Sequence, residues 1–147
     1  PTAKMPGTDG RKMSKSYGNA LDIADDMKTV WDKLRTMTTD PARERRTDPG
    51  TPEKCPVWDL HKFFNKDAQE MSEIHEGCMT AGIGCVDCKK KLMVHLEKMM
   101  GPIQERRAYY EGREDDLKQI LESGAARARA VAEKTMDDVY RVMGLLH

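Results

Sequence analysis

Two groups of residues in this sequence have the types and spacing to do chemistry, and the first lies near its beginning. Residues 12–16 read KMSKS, with Arg11 before them and Tyr-Gly-Asn after them. Ammonium and hydroxyl groups on one loop can bind phosphate oxygens and stabilise the charge of a departing pyrophosphate. Glycines at positions 7, 10 and 18 would let such a loop move. A short string of lysine and serine is also typical of a solvated loop, so both interpretations stay open at this point.

The second group is the set of all four cysteines, Cys55, Cys78, Cys85 and Cys88, with the spacing C-x22-C-x6-C-x2-C. In a reducing compartment such a set more often binds metal than forms disulfides. We expect Cys85 and Cys88 at a helix N-terminus, where the helix dipole favours the thiolate form. Zinc and a 4Fe-4S cluster both accept four thiolates, so the spacing leaves the metal undecided. The alternative is four small buried side chains that never meet.

Length and charge limit what the chain as a whole can do. Its 147 residues fit about one domain, and 25 basic side chains balance 25 acidic ones. No net field therefore attracts the molecule to nucleic acid or membrane, and any polyanion site must be local. Without a long apolar run or a secretion signal, the sequence predicts a soluble cytoplasmic protein. Its loop-like beginning predicts a piece of a longer enzyme.

After residue 24 the pattern predicts helices only. Apolar residues recur at three- and four-residue steps over 27–37, with Asp25 and Asp26 suited to cap or charge the first turn. The stretch 38–50 repeats Thr-Asp-Pro and should form a loop. We expect further helices over these ranges: 58–64, 67–76, 85–100, 113–123 and 125–143.

Two places leave a choice or mark a boundary in this helical body. At Gly101-Pro102 the helix can restart or continue with a kink. The three glycines of EGCMTAGIG, residues 76–84, allow the positive φ that ends helices, and Cys78 is expected in that turn. The predicted fold class is therefore all-α, a helical bundle preceded by the KMSKS loop.

The identity of several stretches adds a family resemblance. Residues 12–16 match the KMSKS signature of class I aminoacyl-tRNA synthetases letter for letter, and the frame MPGTDGRKMSKSYGN resembles the tryptophan and tyrosine subgroup. TTDPARERRTDPG, LHKFF, GCVDCKKKL, PIQERRAYY and ARARAVAEKTMDDVYRVMGL resemble bacterial-type tryptophanyl-tRNA synthetases along nearly the whole chain. A minority of that family carries a 4Fe-4S cluster with this same cysteine spacing.

The resemblance implies roles for individual residues. The KMSKS loop would close over ATP and its Mg during amino-acid activation, with Lys12 and Lys15 as the catalytic lysines. Met13, Ser14 and Ser16 would help to hold the ATP. The four cysteines would bind a 4Fe-4S cluster, or alternatively zinc.

The resemblance also implies a domain organisation and partners. Residues 1–24 would form the C-terminal edge of the catalytic domain, and residues 25–147 a helical anticodon-binding domain that meets tRNA(Trp). The intact enzyme would be a homodimer that uses tryptophan and ATP. Because the nucleotide-binding sheet and the HIGH signature are absent from this sequence, we expect the fragment to be inactive alone. The alternatives are a tyrosyl-tRNA synthetase fragment, a stand-alone RNA-binding module with a metal cluster but no catalysis, and a redox or iron sensor.

Overall fold

A computed structural model describes residues 4–145, and this part of the chain is all-α. Its helices are α1 (Met27–Thr36), α2 (Pro56–Phe64), α3 (Ala68–Met79), α4 (Cys85–Tyr110) and α5 (Glu114–Met143). Short 3-10 turns occupy Lys15–Tyr17 and Pro52–Lys54. Outside the helices, a single isolated bridge between Pro6 and Lys12 is the only β-type pairing of the described residues. The predicted fold class is confirmed.

Carboxylates begin two of the helices. Asp26 precedes α1, and its side chain accepts a hydrogen bond of 2.6 Å from the Thr29 N–H, which confirms the expected cap. Asp67 precedes α3 and accepts from the amides of Gln69 and Glu70. Each cap satisfies backbone donors that have no partner within the helix, so these short polar residues fix where the helices begin.

The end of α3 corrects a prediction. The helix continues through Gly77 to Met79, and the positive φ nearby belongs to Ala81, at 58°. A Cβ at position 77 would lie 3.2 Å from the side chain of Ile83. Gly77 therefore serves close packing within a helix, while the chain reversal falls on an alanine. As a consequence Cys78 lies in the last turn of α3 and not in a loop.

The two longest helices contain residues that usually interrupt helices. Pro102 lies inside α4, which continues to Tyr110. Gly124 lies inside α5, so the predicted division into 113–123 and 125–143 is wrong. A glycine in a helix costs about 1 kcal/mol relative to alanine, and neighbouring alanines such as Ala125 and Ala126 favour continuation. In the described part of the chain, none of the helices is both long and apolar enough to cross a membrane.

The apolar core lies where α1, α2 and α4 meet. Its buried members recur at helical spacing on these helices: Val30, Leu34, Met37, Val57, Leu60, Leu92, Leu96 and Met100. The chain divides into two compact units, Pro1–Gln104 and Glu105–His147, and this core belongs to the first. In the second unit, α5 has no buried residue. The expected domain boundary after residue 24 stays a prediction.

Candidate phosphate loop and four-thiol site

The KMSKS residues lie on a loop whose base is closed by backbone contacts. Pro6 pairs with Lys12 in the isolated bridge, and the Met13 amide donates to the carbonyl of Met5 over 2.8 Å. At the other side, the Thr38 amide donates to the Thr8 carbonyl over 2.9 Å. These contacts fasten the loop to itself and to the segment that follows α1.

The tip of the loop is the 3-10 turn Lys15–Tyr17, which Gly18 ends with a φ of 63°. Lys12, Lys15 and Ser16 are exposed, and neither lysine forms a salt bridge with any described residue. The Ser14 and Ser16 hydroxyls lie 2.9 Å apart. The tip therefore offers unneutralised ammonium groups and hydroxyl donors to an anion from solution, as phosphate binding requires.

Asn19 is a residue of this loop to which the sequence alone assigned no role. Its side chain is buried, with 2% of the residue exposed. Its Oδ1 accepts a hydrogen bond of 2.8 Å from the Ser14 amide, and its Nδ2 donates to the Lys12 carbonyl over 3.2 Å. A Cβ at Gly7 would lie 2.4 Å from this side chain, so position 7 must be glycine for Asn19 to fit. Gly7 thus makes room here, whereas Gly10, with a φ of 80°, supplies a turn.

Asn19 also binds a carboxylate. Its Nδ2 donates to Asp9 Oδ1 over 2.7 Å, and the guanidinium of Arg11 forms an ion pair of 2.6 Å with Asp9 Oδ2. The hydrogen bond from Asn19, followed by the contacts with Arg11, lowers the pKa of Asp9 to about 2. Asp9 is therefore an anion at neutral pH, and the loop carries its own internal ion pair beside the two free lysines.

The four cysteines come from three helices that meet in the first unit. Cys55 directly precedes α2, Cys78 lies in the last turn of α3, and Cys85 and Cys88 lie in the first turn of α4. All four are free thiols of intermediate burial. Burial, followed by repulsion from the charges of the other three cysteines, raises the pKa of Cys88 to about 12. The charges of the other three thiols therefore act on Cys88, which favours the metal-site hypothesis without showing a formed site.

Two observations bear on whether these thiols could hold a metal, and they point in opposite directions. Within residues 4–145, no three side chains of His, Cys, Asp or Glu are arranged so that they could hold a metal ion. The donor type nevertheless fits a tetrathiolate, since all four cysteines are free thiols. A Cβ at Gly50 would lie 2.7 Å from Cys78 Sγ, so glycine keeps the chain close to this thiol. The donor set fits the expected group, but a closed coordination sphere is not formed.

Two polar side chains contact the thiols and were missed by sequence reasoning. His61 is fully buried, and its Nε2 lies 3.4 Å from Cys88 Sγ. Burial lowers the pKa of His61 to about 4, so its ring is neutral at pH 7. Arg43 Nη1 donates to Cys78 Sγ over 3.8 Å. The one available signal was the place of His61 on the apolar face of α2, four residues after Val57.

A helical domain that carries a KMSKS loop beside it defines a class of protein, and a family comparison agrees. The family model described as tRNA synthetases class I (W and Y) matches residues 2–101. The chain therefore belongs to the class I tRNA synthetases of the tryptophan and tyrosine group.

Two individual relatives are tryptophan–tRNA ligases. The chain is 46% identical to the tryptophan–tRNA ligase of Aquifex aeolicus over 144 residues, which is 98% of this chain and 36% of that protein. It is 46% identical to the corresponding ligase of Thermotoga maritima over 143 residues, 97% of this chain and 44% of that one.

A solved structure gives the same picture for the fold. Tryptophanyl-tRNA synthetase from Campylobacter jejuni, crystallised with ADP and tryptophan, superposes with a TM-score of 0.81 at 31% identity. The match covers 97% of this chain and 44% of that chain. This chain thus spans less than half the length of the relatives it matches.

Proposed function

We propose that this chain is the C-terminal part of a tryptophan–tRNA ligase, which activates tryptophan with ATP, releases pyrophosphate and esterifies tRNA(Trp). The observation that carries the proposal is the KMSKS loop, with two exposed lysines that no described carboxylate neutralises. Its support is 46% identity to tryptophan–tRNA ligases over nearly the entire chain.

In this proposal the loop acts on the triphosphate of Mg-ATP. Lys15, at the exposed turn, stabilises the charge that develops on the transferring phosphate and on the departing pyrophosphate. Lys12 binds the phosphates from the base of the loop, aided by the Met13 backbone and the hydroxyls of Ser14 and Ser16. Such groups act by positioning and charge, since phosphoryl chemistry needs little covalent help from the protein.

The deciding experiment is Lys15→Ala in the full-length protein that contains this chain. We expect the rate of tryptophan-dependent ATP–pyrophosphate exchange to fall by about a hundredfold or more, with a smaller change in the KM for ATP. Lys28→Ala is the control, because Lys28 is also an exposed lysine but lies on α1. A loss confined to KM would mean that Lys15 binds ATP in the ground state only. Unchanged exchange would overturn the proposal.

The division of labour along the chain belongs to the same proposal. Residues 1–24 supply the loop of the catalytic domain, and residues 25–147 form the helical domain that binds the anticodon region of tRNA(Trp). Since this chain spans 36% to 44% of its relatives' lengths, the tryptophan pocket and nucleotide sheet are assigned to the remainder. The purified 147-residue chain should then show no pyrophosphate exchange but measurable affinity for tRNA(Trp). The full-length enzyme would be a cytoplasmic homodimer.

We further propose that Cys55, Cys78, Cys85 and Cys88 hold a 4Fe-4S cluster, with zinc as the alternative. This proposal is supported by the four thiols being free of disulfides and by the repulsion of their charges at Cys88, which a bound cation would offset. A bound metal would stabilise the fold, since metal binding and folding are coupled.

Metal analysis and an absorption spectrum of the anaerobically purified chain test the metal assignment directly. About four irons per chain and the visible absorption of iron–thiolate charge transfer would identify the cluster, whereas about one zinc without colour would identify a structural zinc site. Cys88→Ser should lose the metal and, because metal binding and folding are coupled, roughly several kcal/mol of stability. Thr80→Ser, beside Cys78, should keep both. Protein without either metal would overturn the metal assignment and leave the ligase assignment intact.

A further inference from the structure

The turn that carries Lys15 is bound at its beginning by Asn19. The Asn19 Oδ1 accepts from the Ser14 amide, which closes a ring from Ser14 to Asn19 around the exposed turn Lys15–Tyr17. Through its Nδ2, the same side chain donates to the Lys12 carbonyl, on the other side of Met13. One buried amide group therefore contacts the backbone on both sides of Met13.

The end of the same turn is bound through a chain of contacts that also starts at Asn19. Its Nδ2 donates to Asp9 Oδ1, and Asp9 Oδ2 accepts from Arg11 Nε over 2.7 Å. The Arg11 guanidinium lies over the ring of Tyr17, 4.5 Å from its centroid. Tyr17 is the last residue of the 3-10 turn. Asn19 thus contacts the turn directly at one end and through two charged residues at the other.

The burial of Asn19 gives its hydrogen bonds their energetic weight. Asn19 is 2% exposed, and its side chain has three hydrogen bonds, whereas the residues of the turn are exposed and have few contacts of their own. The groups that bind the two ends of such a short exposed turn therefore set its position. Removing the Asn19 amide would also leave the Ser14 N–H without its partner.

We propose that Asn19 is a positioning residue: its side chain sets the conformation of the Lys15–Tyr17 turn and thereby the place from which Lys15 acts on the triphosphate. The inference rests on the proposed function, because it assigns Asn19 a role through Lys15. Asn19 itself is too buried to contact ATP and acts only through the backbone and Asp9.

A first experiment uses the 147-residue chain and needs no activity. Asn19→Ala should increase amide hydrogen exchange at Ser14, Tyr17 and Gly18, whose amides are hydrogen-bonded in this loop, by about tenfold or more, with α1, α2 and α4 unchanged. Asn65→Ala is the matched control, since Asn65 is an asparagine of similar burial, 4% exposed, that binds Glu70 and the Asp67 amide. It should leave exchange in the loop at the original rate. Equal exchange in the two variants would overturn the inference.

A second experiment measures coupling to Lys15 in the full-length protein. Asn19→Ala alone should lower kcat for pyrophosphate exchange by about tenfold to a hundredfold, because a displaced catalytic group loses much of its effect. In a Lys15→Ala background the same substitution should change kcat by less than about twofold. A purely structural role of Asn19 would instead give the same factor in both backgrounds, and that result would overturn the inference.

If Asn19→Ala folds poorly, Asn19→Asp is the second variant that tests the same inference. Aspartate retains the shape and an acceptor for Ser14, but it cannot donate to Lys12 or Asp9 and places a second carboxylate beside Asp9. We expect the same loss of kcat with an unchanged KM for tryptophan. If Lys15→Ala is itself without effect, the proposed function fails; if only the Asn19 variants retain full kcat, the inference alone fails.

Discussion

Among single residues, Glu70 accepts three polar contacts from side chains outside the loop. Its carboxylate accepts from His95 Nε2 at 2.6 Å, from Lys91 Nζ at 3.0 Å and from Asn65 Nδ2 at 2.9 Å. These contacts, led by the hydrogen bond with His95, lower the pKa of Glu70 from 4.5 to about 2. Because Glu70 lies on α3 and its partners His95 and Lys91 lie on α4, this one carboxylate holds the two helices together.

The lowered pKa of Glu70 predicts a pH dependence of stability. A group whose folded pKa is depressed stabilises the fold above its unfolded pKa of 4.5, and that contribution disappears as the pH falls through about 2. Glu70→Gln should therefore cost about 1–3 kcal/mol near pH 7 and almost nothing near pH 2. Urea unfolding of both proteins across this range measures the difference.

The neighbouring Glu73 offers the control for this experiment. It is exposed on the same helix and contacts only Gln69, over 3.2 Å, among the hydrogen bonds we identify in the described residues. Glu73→Gln should change the free energy of unfolding by less than about 0.5 kcal/mol at every pH. A constant difference between wild type and Glu70→Gln from pH 7 to pH 2 would contradict the assigned role of the carboxylate.

At the scale of helices, Lys89 joins α4 to the end of α1. The residue is 4% exposed, and its Nζ donates to the carbonyls of Arg35 and Met37 over 2.8 and 2.6 Å. The last carbonyls of a helix have no partner within it and carry the negative end of its dipole. A buried ammonium group at this position therefore satisfies the end of α1 and sets its position against α4.

Replacement of Lys89 by methionine tests this contact. Lys89→Met retains the apolar stem but leaves two carbonyls unpartnered, so we expect a loss of about 1–3 kcal/mol in urea unfolding, with weakened amide protection near residue 37. Lys90→Met is the matched control, because the Lys90 side chain is 63% exposed and pairs only with Asp87. Equal stability of the two variants would show that Lys89 contributes no more than a surface lysine.

At the scale of the whole molecule, the core and both candidate sites lie in the unit Pro1–Gln104. Among the described residues of the unit Glu105–His147, none belongs to the core cluster of the first unit, and α5 buries none. Gln104 still belongs to the first unit, where its Nε2 donates to the Asp25 carbonyl over 2.7 Å. We therefore expect the first unit to fold by itself.

Truncation after Gln104 checks this organisation. Residues 1–104 should unfold cooperatively in urea with a midpoint close to that of the whole chain, because all buried apolar contacts remain. Residues 1–84 are the control: without α4 they lose Leu92, Leu96 and Met100 from the core and should show no cooperative transition. A non-cooperative 1–104 fragment would mean that the second unit supports the first.

Several features could be predicted from the sequence because they depend on local chemistry. The 3.6-residue recurrence of apolar side chains predicts α1 and its buried face, and an aspartate before that face predicts where the helix begins. The family follows from the KMSKS letters and the stretches around them. Breaks at Gly77 and Gly124 were predicted wrongly, since glycine lowers helix propensity without forbidding a helix when packing or neighbouring residues favour it.

The sequence by itself determined the helical class, the loop at the beginning and the four thiol donors, because residue type and spacing are local properties of the chain. Only the tertiary structure decided which distant groups meet. Asn19 contacts Ser14 and Asp9, His61 contacts Cys88, and Lys89 binds carbonyls at the end of α1. These contacts join residues from 5 to 54 positions apart. Which distant groups meet depends on how helices pack, and burial then gives a single polar contact its energetic weight.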